Sequence, residues 1–386
     1  MRVLFSIHHD LDPDTGAPGA TIALGEHLAE TGNQIDYLSF DDMPVKLPFM
    51  AATIAYPYFA AAKLAGRAAQ AADVIDSSTG DAWAWARLDR RRRRPLLVTR
   101  SHGLEHLFQE REVEQARHEG RKLSWRYPLY WGGWRLREVA LSLRASDLVF
   151  VLSEAERDYV SERLGVDPER VRLTANGVPD SFLAKAVETN GDAGGPAVAW
   201  VGAYRRSKGV EHGTAALATA MEADPDLRVS FFGPGVPPST VRAPFPPRLH
   251  ERVAVIEHYH REELPKLLCG HSIAFVPSLS EGFSLALVEV MACGLAPVAS
   301  DIPGNRETVV DGENGLLTSA GDAAAATAAI QRLRADPELL GRLRKAARVV
   351  GERYSWKRIA ADTASAYEEA IERREHELAP AGGAGR

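Results

Sequence analysis

Two carboxylates about two helical turns apart, Glu281 and Glu289, bracket the stretch with the strongest chemical signal, Pro277 to Ser300 (PSLSEGFSLALVEVMACGLAPVAS). An apolar run, Ile273 to Val276, predicts a buried strand. It breaks at Pro277 into a polar loop, Ser278 to Gly282. A helical face (Leu285, Val288, Met291) then opens near Ser284 and stops at Gly294, and Ala296 to Ala299 reads as the next strand. In an open parallel sheet, a loop at a strand's carboxyl end is where ligands sit. The backbone N–H groups of Gly282, Phe283 and Ser284 would open the helix as an anion site, and Gly282 lets a phosphate approach closely. A carboxylate repels phosphate but accepts hydrogen bonds from sugar hydroxyls. A phosphate cradle flanked by two such acceptors fits a nucleotide sugar.

The elements that must position these groups follow a repeating order. Strands are expected at Val3 to Ile7, Ile35 to Phe40, Asp73 to Ser77, Leu96 to Thr99, Asp147 to Leu152 and Val171 to Thr174. A polar, Gly-rich segment, 185–196, reads as a linker. Alternation resumes with strands at Ala197 to Gly202, Arg228 to Phe232, Val253 to Ile256, Ile273 to Val276 and Ala296 to Ala299, separated by helices. Two such runs imply an α/β protein with two doubly wound parallel sheets. The expected domains are 1–184 and 197–355, with a last helix over 356–375 and a flexible tail over 376–386.

Composition narrows the function classes. The chain has 386 residues, a net charge of −6 and a pI near 6.1, which argues against bulk nucleic-acid binding. Cys269 and Cys293 lie in apolar contexts, which predicts buried thiols in a reducing cytoplasm. The first residues read as a strand instead of a signal peptide, and no apolar run is long enough to span a membrane. No His/Cys/Asp cluster has metal spacing, so no metal is expected. The arginine run 90–94 reads as a solvated helix end. With the basic, aromatic segment 121–144 it also offers a peripheral contact to anionic lipid, at the inner membrane face.

Glu281-Gly-Phe followed by Glu289 resembles the E-x7-E motif of retaining glycosyltransferases of family four, which have the GT-B fold. The resemblance extends over nearly the whole chain. Gly202-Ala203-Tyr204-Arg205-Arg206-Ser207-Lys208-Gly209 resembles the family's diphosphate clamp, G-R-x4-K-G. Lys208 keeps its spacing, but Ala203 stands where the family has Arg, so Arg205 or Arg206 would have to supply the second cation. Gly16 and Gly19 stand where a Gly-rich family loop approaches the donor. They do not form a dinucleotide fingerprint, since G-x-G-x-x-G is not satisfied. His102, in a loop after a strand, matches a family His that contacts the donor sugar, and Asn176-Gly177-Val178 resembles the turn at the domain crossing.

The resemblance implies two Rossmann-like domains facing a cleft, with a C-terminal helix packing back on the first. The implied activity is a hexosyltransferase, moving a sugar from a UDP- or GDP-type donor to an acceptor hydroxyl with retention and without a metal. In that reading Glu281 orients sugar hydroxyls, Glu289 holds the ribose, and Lys208 with an Arg stabilises the departing diphosphate. Two alternatives stay open: a GT-B nucleotide-sugar epimerase, and a non-catalytic partner that keeps the fold. The acceptor, whether glycan, lipid-linked or small molecule, is not given by the sequence.

Overall fold

Central strands of a parallel sheet are covered on both faces and therefore read as unbroken apolar runs. In the computed structural model Val74–Ser78, Leu96–Arg100, Leu148–Val151, His271–Val276 and Ala296–Ser300 are each buried along their whole length. The structure describes residues 1–66, 71–89, 94–118, 120–178, 183 and 197–378, and counts and absences refer to these. The chain divides into two units, Met1–Ala175 with Lys357–Arg386, and Asn176–Trp356. The expected linker at 185–196 and four of the arginines, 90–93, lie outside the described residues.

The first unit holds one six-stranded parallel sheet of β1 (Arg2–Ser6), β2 (Gln34–Leu38), β3 (Val74–Ser78), β4 (Leu96–Arg100), β5 (Leu148–Val151) and β6 (Val171–Leu173), in the order β2-β1-β3-β4-β5-β6. Its helices include α1 (Gly16–Glu30), α2 (Phe49–Leu64), α3 (Trp83–Leu88), α4 (Glu105–His118), α5 (Arg135–Ala145) and α6 (Glu154–Asp158). Strand order reverses between β1 and β3, which opens a crevice at their carboxyl ends.

The C-terminal helix, Trp356–Leu378, joins this unit from Lys357 onward. Its Tyr367 hydroxyl donates to Asp76 Oδ2 at 2.5 Å, beside the Arg100 guanidinium, which donates to the same oxygen at 2.8 Å and lies 4.3 Å from the Phe150 ring. Arg374 reaches Pro95 O and Asp147 Oδ2, and Arg94 grips Asp147 through both terminal nitrogens at 2.7 and 3.0 Å. Arg94, the last of the arginine run, is therefore structural. The expected return of the terminal helix to the first domain is observed.

The second unit repeats the plan with β7 (Ala197–Val201), β8 (Arg228–Phe232), β9 (Val253–Ile256), β10 (His271–Val276), β11 (Ala296–Ser300) and β12 (Leu316–Thr318), all parallel, ordered β12-β11-β10-β7-β8-β9. Its longer helices are α7 (Val210–Ala223), α8 (Leu285–Ala292), α9 (Ala323–Ala335) and α10 (Pro337–Arg353). Order reverses between β7 and β10. This is a second crevice, at the loop from which the sequence reading began.

Several expectations are corrected. Gly16 and Gly19 do not lie in a loop. They sit in the first turn of α1, where the Gly19 amide donates to Thr15 O at 3.1 Å and a Cβ on Gly19 would come within 2.4 Å of Pro13 O. The turn closed by Asp12 Oδ1 accepting from Asp14 N lets the helix begin before Pro18, which the first turn of a helix tolerates. Cys269 is exposed, whereas Cys293 is buried. β12 and α10 were not anticipated: β12 spans only three partly buried residues, and Asp336 ends α9 while its carboxylate caps α10 through Leu339 N. The crossing between units comes at Asn176, earlier than residue 184, because Val178 pairs with Ser355 and its N–H donates to Tyr354 O.

Removing the Tyr367 hydroxyl tests the anchoring of the terminal helix. Tyr367→Phe leaves a buried carboxylate one donor short and should lower the unfolding free energy by about 1–3 kcal/mol, measured by chemical denaturation.

Candidate functional site

The two loops that leave β7 and β10 meet across the crevice of the second unit. Gly209 makes this possible: its φ of +74° suits glycine, and a Cβ there would stand 1.9 Å from Pro277 O. The Leu279 N–H donates to Ser207 O at 2.8 Å and ties one loop to the other. The result brings Lys208 Nζ onto Glu281 Oε1, and the Ser278 hydroxyl donates to the same oxygen at 2.8 Å. Both charged side chains keep partial contact with solvent.

Beside this pair, α8 begins. Ser284 is its N-cap, yet the Ser284 hydroxyl makes no capping bond and is buried without a partner among the described residues. The N–H groups of Gly282, Phe283 and Ser284 likewise find no backbone acceptor among the described residues. Gly304 lies against the Glu281 and Gly282 carbonyls, where a Cβ would approach to 2.6 and 2.8 Å. The loop is thus supported from behind, and its amides open the helix as unpaired donors.

Glu289, buried on α8, accepts from Arg261 Nε at 2.6 Å. Burial pushes its carboxyl pKa up and the Arg261 guanidinium pulls it back. Arg261 also reaches toward Gly177 O at 3.4 Å. Sequence reasoning did not single out Arg261. Its only sequence signal is a cation placed after the end of β9. Arg205 is exposed and, among the described residues, pairs with neither carboxylate, while Arg206 is half-buried. The structure thus joins Lys208 to Glu281 and places Gly282, Phe283 and Ser284 beside them, with Glu289 farther along α8. It gives no sign that Arg205 completes the set.

The remaining sequence candidates fall in the first unit. His102 follows β4, half-buried; its pKa falls to about 3 because burial, and then the Arg100 charge, disfavour the imidazolium. Gly103 turns the loop at φ +125°, and Glu156 fixes it by accepting from the amides of Leu104 and Leu152 at 2.9 and 3.0 Å. Gly16 is exposed and Gly19 buried within α1, so only Gly16 presents its backbone at the surface.

A cluster that the sequence did not single out occupies the β1/β3 crevice. His8 Nδ1 lies 2.8 Å from Asp81 Oδ1, and Arg135 Nη2 lies 3.2 Å from His8 Nε2. That same nitrogen donates to Thr79 O at 2.8 Å and to Glu105 Oε1 at 2.9 Å, and Thr79 Oγ1 also donates to Glu105. Gly80, at φ +78°, gives the guanidinium its room: a Cβ there would be 2.6 Å from Arg135 Nη1. Burial pushes the Asp81 carboxyl well up.

Burial and the Arg135 charge drop His8 to about 3, and burial and His8 drop His9 to about 4, both from 6.5. The unfolded chain therefore holds more protons than the folded one between pH 6.5 and about 4. The stability present above pH 6.5 must fall as pH drops through that window. His8→Gln is expected to flatten the slope of Tm against pH there. A slope equal to that of the unaltered protein would contradict the burial of a neutral His8.

Comparison with known proteins gives the same picture. Residues 18–182 match the family described as Glycosyltransferase Family 4, and residues 195–336 match Glycosyl transferases group 1. The chain is similar to a D-inositol 3-phosphate glycosyltransferase of Streptomyces bingchenggensis, 32% identical over 59% of this chain and 54% of that protein. It is also similar to an MMP alpha-(1->4)-mannosyltransferase of Mycolicibacterium hassiacum, 33% identical over 72% of this chain and 66% of that protein. The chain thus spans between half and two thirds of these curated relatives. In fold it is similar to sucrose-phosphate synthase of Thermosynechococcus elongatus (TM-score 0.77, 23% identity, 97% of this chain and 100% of that one). The Anabaena HepE structure with UDP and glucose is also similar (TM-score 0.65, 18% identity, 95% and 99% covered). Two parallel α/β units of this kind are those of the GT-B fold. The two family matches together take in most of the chain, and the protein belongs to the glycosyltransferases of group 1, family 4.

Proposed function

We propose that this chain transfers a hexose from a nucleoside diphosphate sugar, of the UDP or GDP type, to an acceptor hydroxyl with retention at the anomeric carbon. The observation that carries this reading is the Lys208–Glu281 contact at the β7/β10 crevice, beside the unpaired amides and hydroxyl that open α8. Titles of similar structures name UDP, with glucose, in Anabaena HepE, and a curated relative is named a mannosyltransferase.

Glu281 holds Lys208 where an anion would sit. When a donor enters, its diphosphate takes the ammonium and the N–H groups of Gly282 to Ser284, and Glu281 turns to the sugar hydroxyls. Glu289, held by Arg261, accepts from the ribose hydroxyls. In the transfer step the bond from the anomeric carbon to the phosphate oxygen breaks and its electron pair leaves with the diphosphate. The acceptor oxygen bonds to the anomeric carbon on the same face, and its proton passes to the departing phosphate oxygen. Lys208 and the helix amides stabilise the charge that builds on the leaving group, so no metal is required in this scheme. Among the described residues no helix is long and apolar enough to cross a membrane. We place the activity in the cytoplasm, in keeping with two cysteines that are not joined in a disulfide.

Thermal shift tests the donor site. UDP, GDP or ADP at about a hundred times its Kd should stabilise the second unit by about 2.7 kcal/mol, and Glu289→Gln should reduce that shift. A flat response to all three nucleotides sinks the donor reading. Lys208→Ala should lower transfer by about a hundredfold or more, followed by mass spectrometry of the glycosylated product. Donor conversion without any acceptor adduct would identify an epimerase instead.

A further inference from the structure

The donor chemistry leaves unused the cluster at the β1/β3 crevice, where strand ends bring together His8, His9, Thr79 and Asp81. The carboxyl ends of strands at a reversal of order are where open sheets bind ligands. Asp81 is fully buried, and among the described residues neither its Oδ2 nor Glu105 Oε2 has a hydrogen-bond partner. Buried polar atoms are nearly always paired, so two unpaired carboxylate oxygens in a ligand crevice call for donors that the protein itself does not supply.

The kind of donor follows from charge. His8 and His9 are neutral near pH 7, so among the described residues the cation touching the cluster is Arg135, and Glu105 already holds it at 2.9 Å. Asp81 and Glu138 add acidic groups, and Asp10, Asp12 and Asp14 stand exposed on the segment that follows His9. In no protonation state near neutrality is the cluster net positive. A phosphate or carboxylate entering it would lose its water without gaining a free cation. Hydroxyl groups meet no such penalty: they donate to the carboxylate oxygens and exchange hydrogen bonds with neutral imidazoles. Aromatic faces border the cluster. Trp83 packs edge-on to Trp134 at 6.0 Å, and Phe49 lies 5.6 Å from His9. Such faces suit the apolar side of a sugar ring.

We propose that the acceptor is an uncharged polyol or saccharide, held in the β1/β3 crevice by Asp81, Glu105 and His8. This assignment rests on the transferase reading and narrows it, because several sugar transferases act on phosphorylated acceptors and this crevice would refuse them. A phosphorylated acceptor is in fact what the name of one curated relative implies, so the two chains would differ at this site.

The test uses the full chain without donor, so that it does not depend on the second unit. Binding of glucose, maltose and myo-inositol is measured by saturation-transfer NMR beside glucose 6-phosphate, maltose 1-phosphate and inositol 3-phosphate. At least one neutral member should bind, and its ester about tenfold or more weaker. Asp81→Asn should weaken the neutral ligand about tenfold, because one buried acceptor is lost, while the nucleotide thermal shift is unchanged. Glu105→Gln, which frees the charge of Arg135, should shrink or reverse the preference and stands in should Asp81→Asn fail to fold. Esters bound as well as their parents, no neutral ligand bound, or an unaltered preference in Glu105→Gln would each overturn the proposal. Loss of the nucleotide shift alone would instead remove the donor site and leave saccharide binding as a separate result.

Discussion

A parallel sheet whose strand order reverses cannot cover its own reversal. The crossover helices run to opposite faces from that point, and the loops beside it diverge. Both sheets here are built this way, at β1/β3 and at β7/β10, and every chemically distinctive group lies at one of the two openings. The buried strands contribute mainly apolar contacts, the Asp76–Arg100 pair apart. What they fix is the direction in which the loops point, and hence which polar residues are stranded beyond the carboxyl edge.

The two openings have opposite electrostatic characters. In the second unit a lysine and the amino end of α8 gather positive potential, and Glu281 balances it in a pair that an entering anion can displace. Both partners retain some solvent, so separating them costs far less than breaking a fully buried pair. In the first-unit crevice Arg135 is locked between Thr79 O and Glu105, and two histidines are held neutral by burial. One opening is arranged to exchange its counter-charge, the other to keep it. The proposed transfer from a charged donor to an uncharged acceptor would use one of each.

The loop between β10 and α8 was legible because it is local. Strand, break, Gly282, helix and the spacing of Glu281 to Glu289 all fall between Ile273 and Ser300, within reach of periodicity and capping rules. The first-unit cluster was not, since its members come from β1, β3, α4 and α5 and have no spacing to recognise; only the topology assembles them. Gly16 and Gly19 misled for a related reason. Two glycines and a proline look like a loop, yet proline is tolerated in a first helical turn, and Gly19, though not Gly16, is required there by the approach of Pro13 O. β12 was missed because three residues carry too little pattern, and the fold supplied the missing strand through its pairing with β11.

The absence of an arginine at Ala203 has a structural answer that motif matching alone would not supply. The family pattern places a cation directly after the first glycine of the clamp, and here Arg205 is turned to solvent. Arg261 is the cation that does engage the motif, through Glu289, from the opposite side of the sheet order. It does not replace the lost charge toward a diphosphate, because it already pairs with the buried Glu289 carboxylate. In the proposed reaction the leaving-group charge would therefore fall on Lys208 and on the backbone amides of α8. A backbone donor cannot be deleted by substitution, and a helix end is preorganised at no side-chain entropy cost. A site that depends on amides in this way tolerates the loss of one arginine more readily than the loss of Gly209 or Gly304, the two glycines that let the loops close.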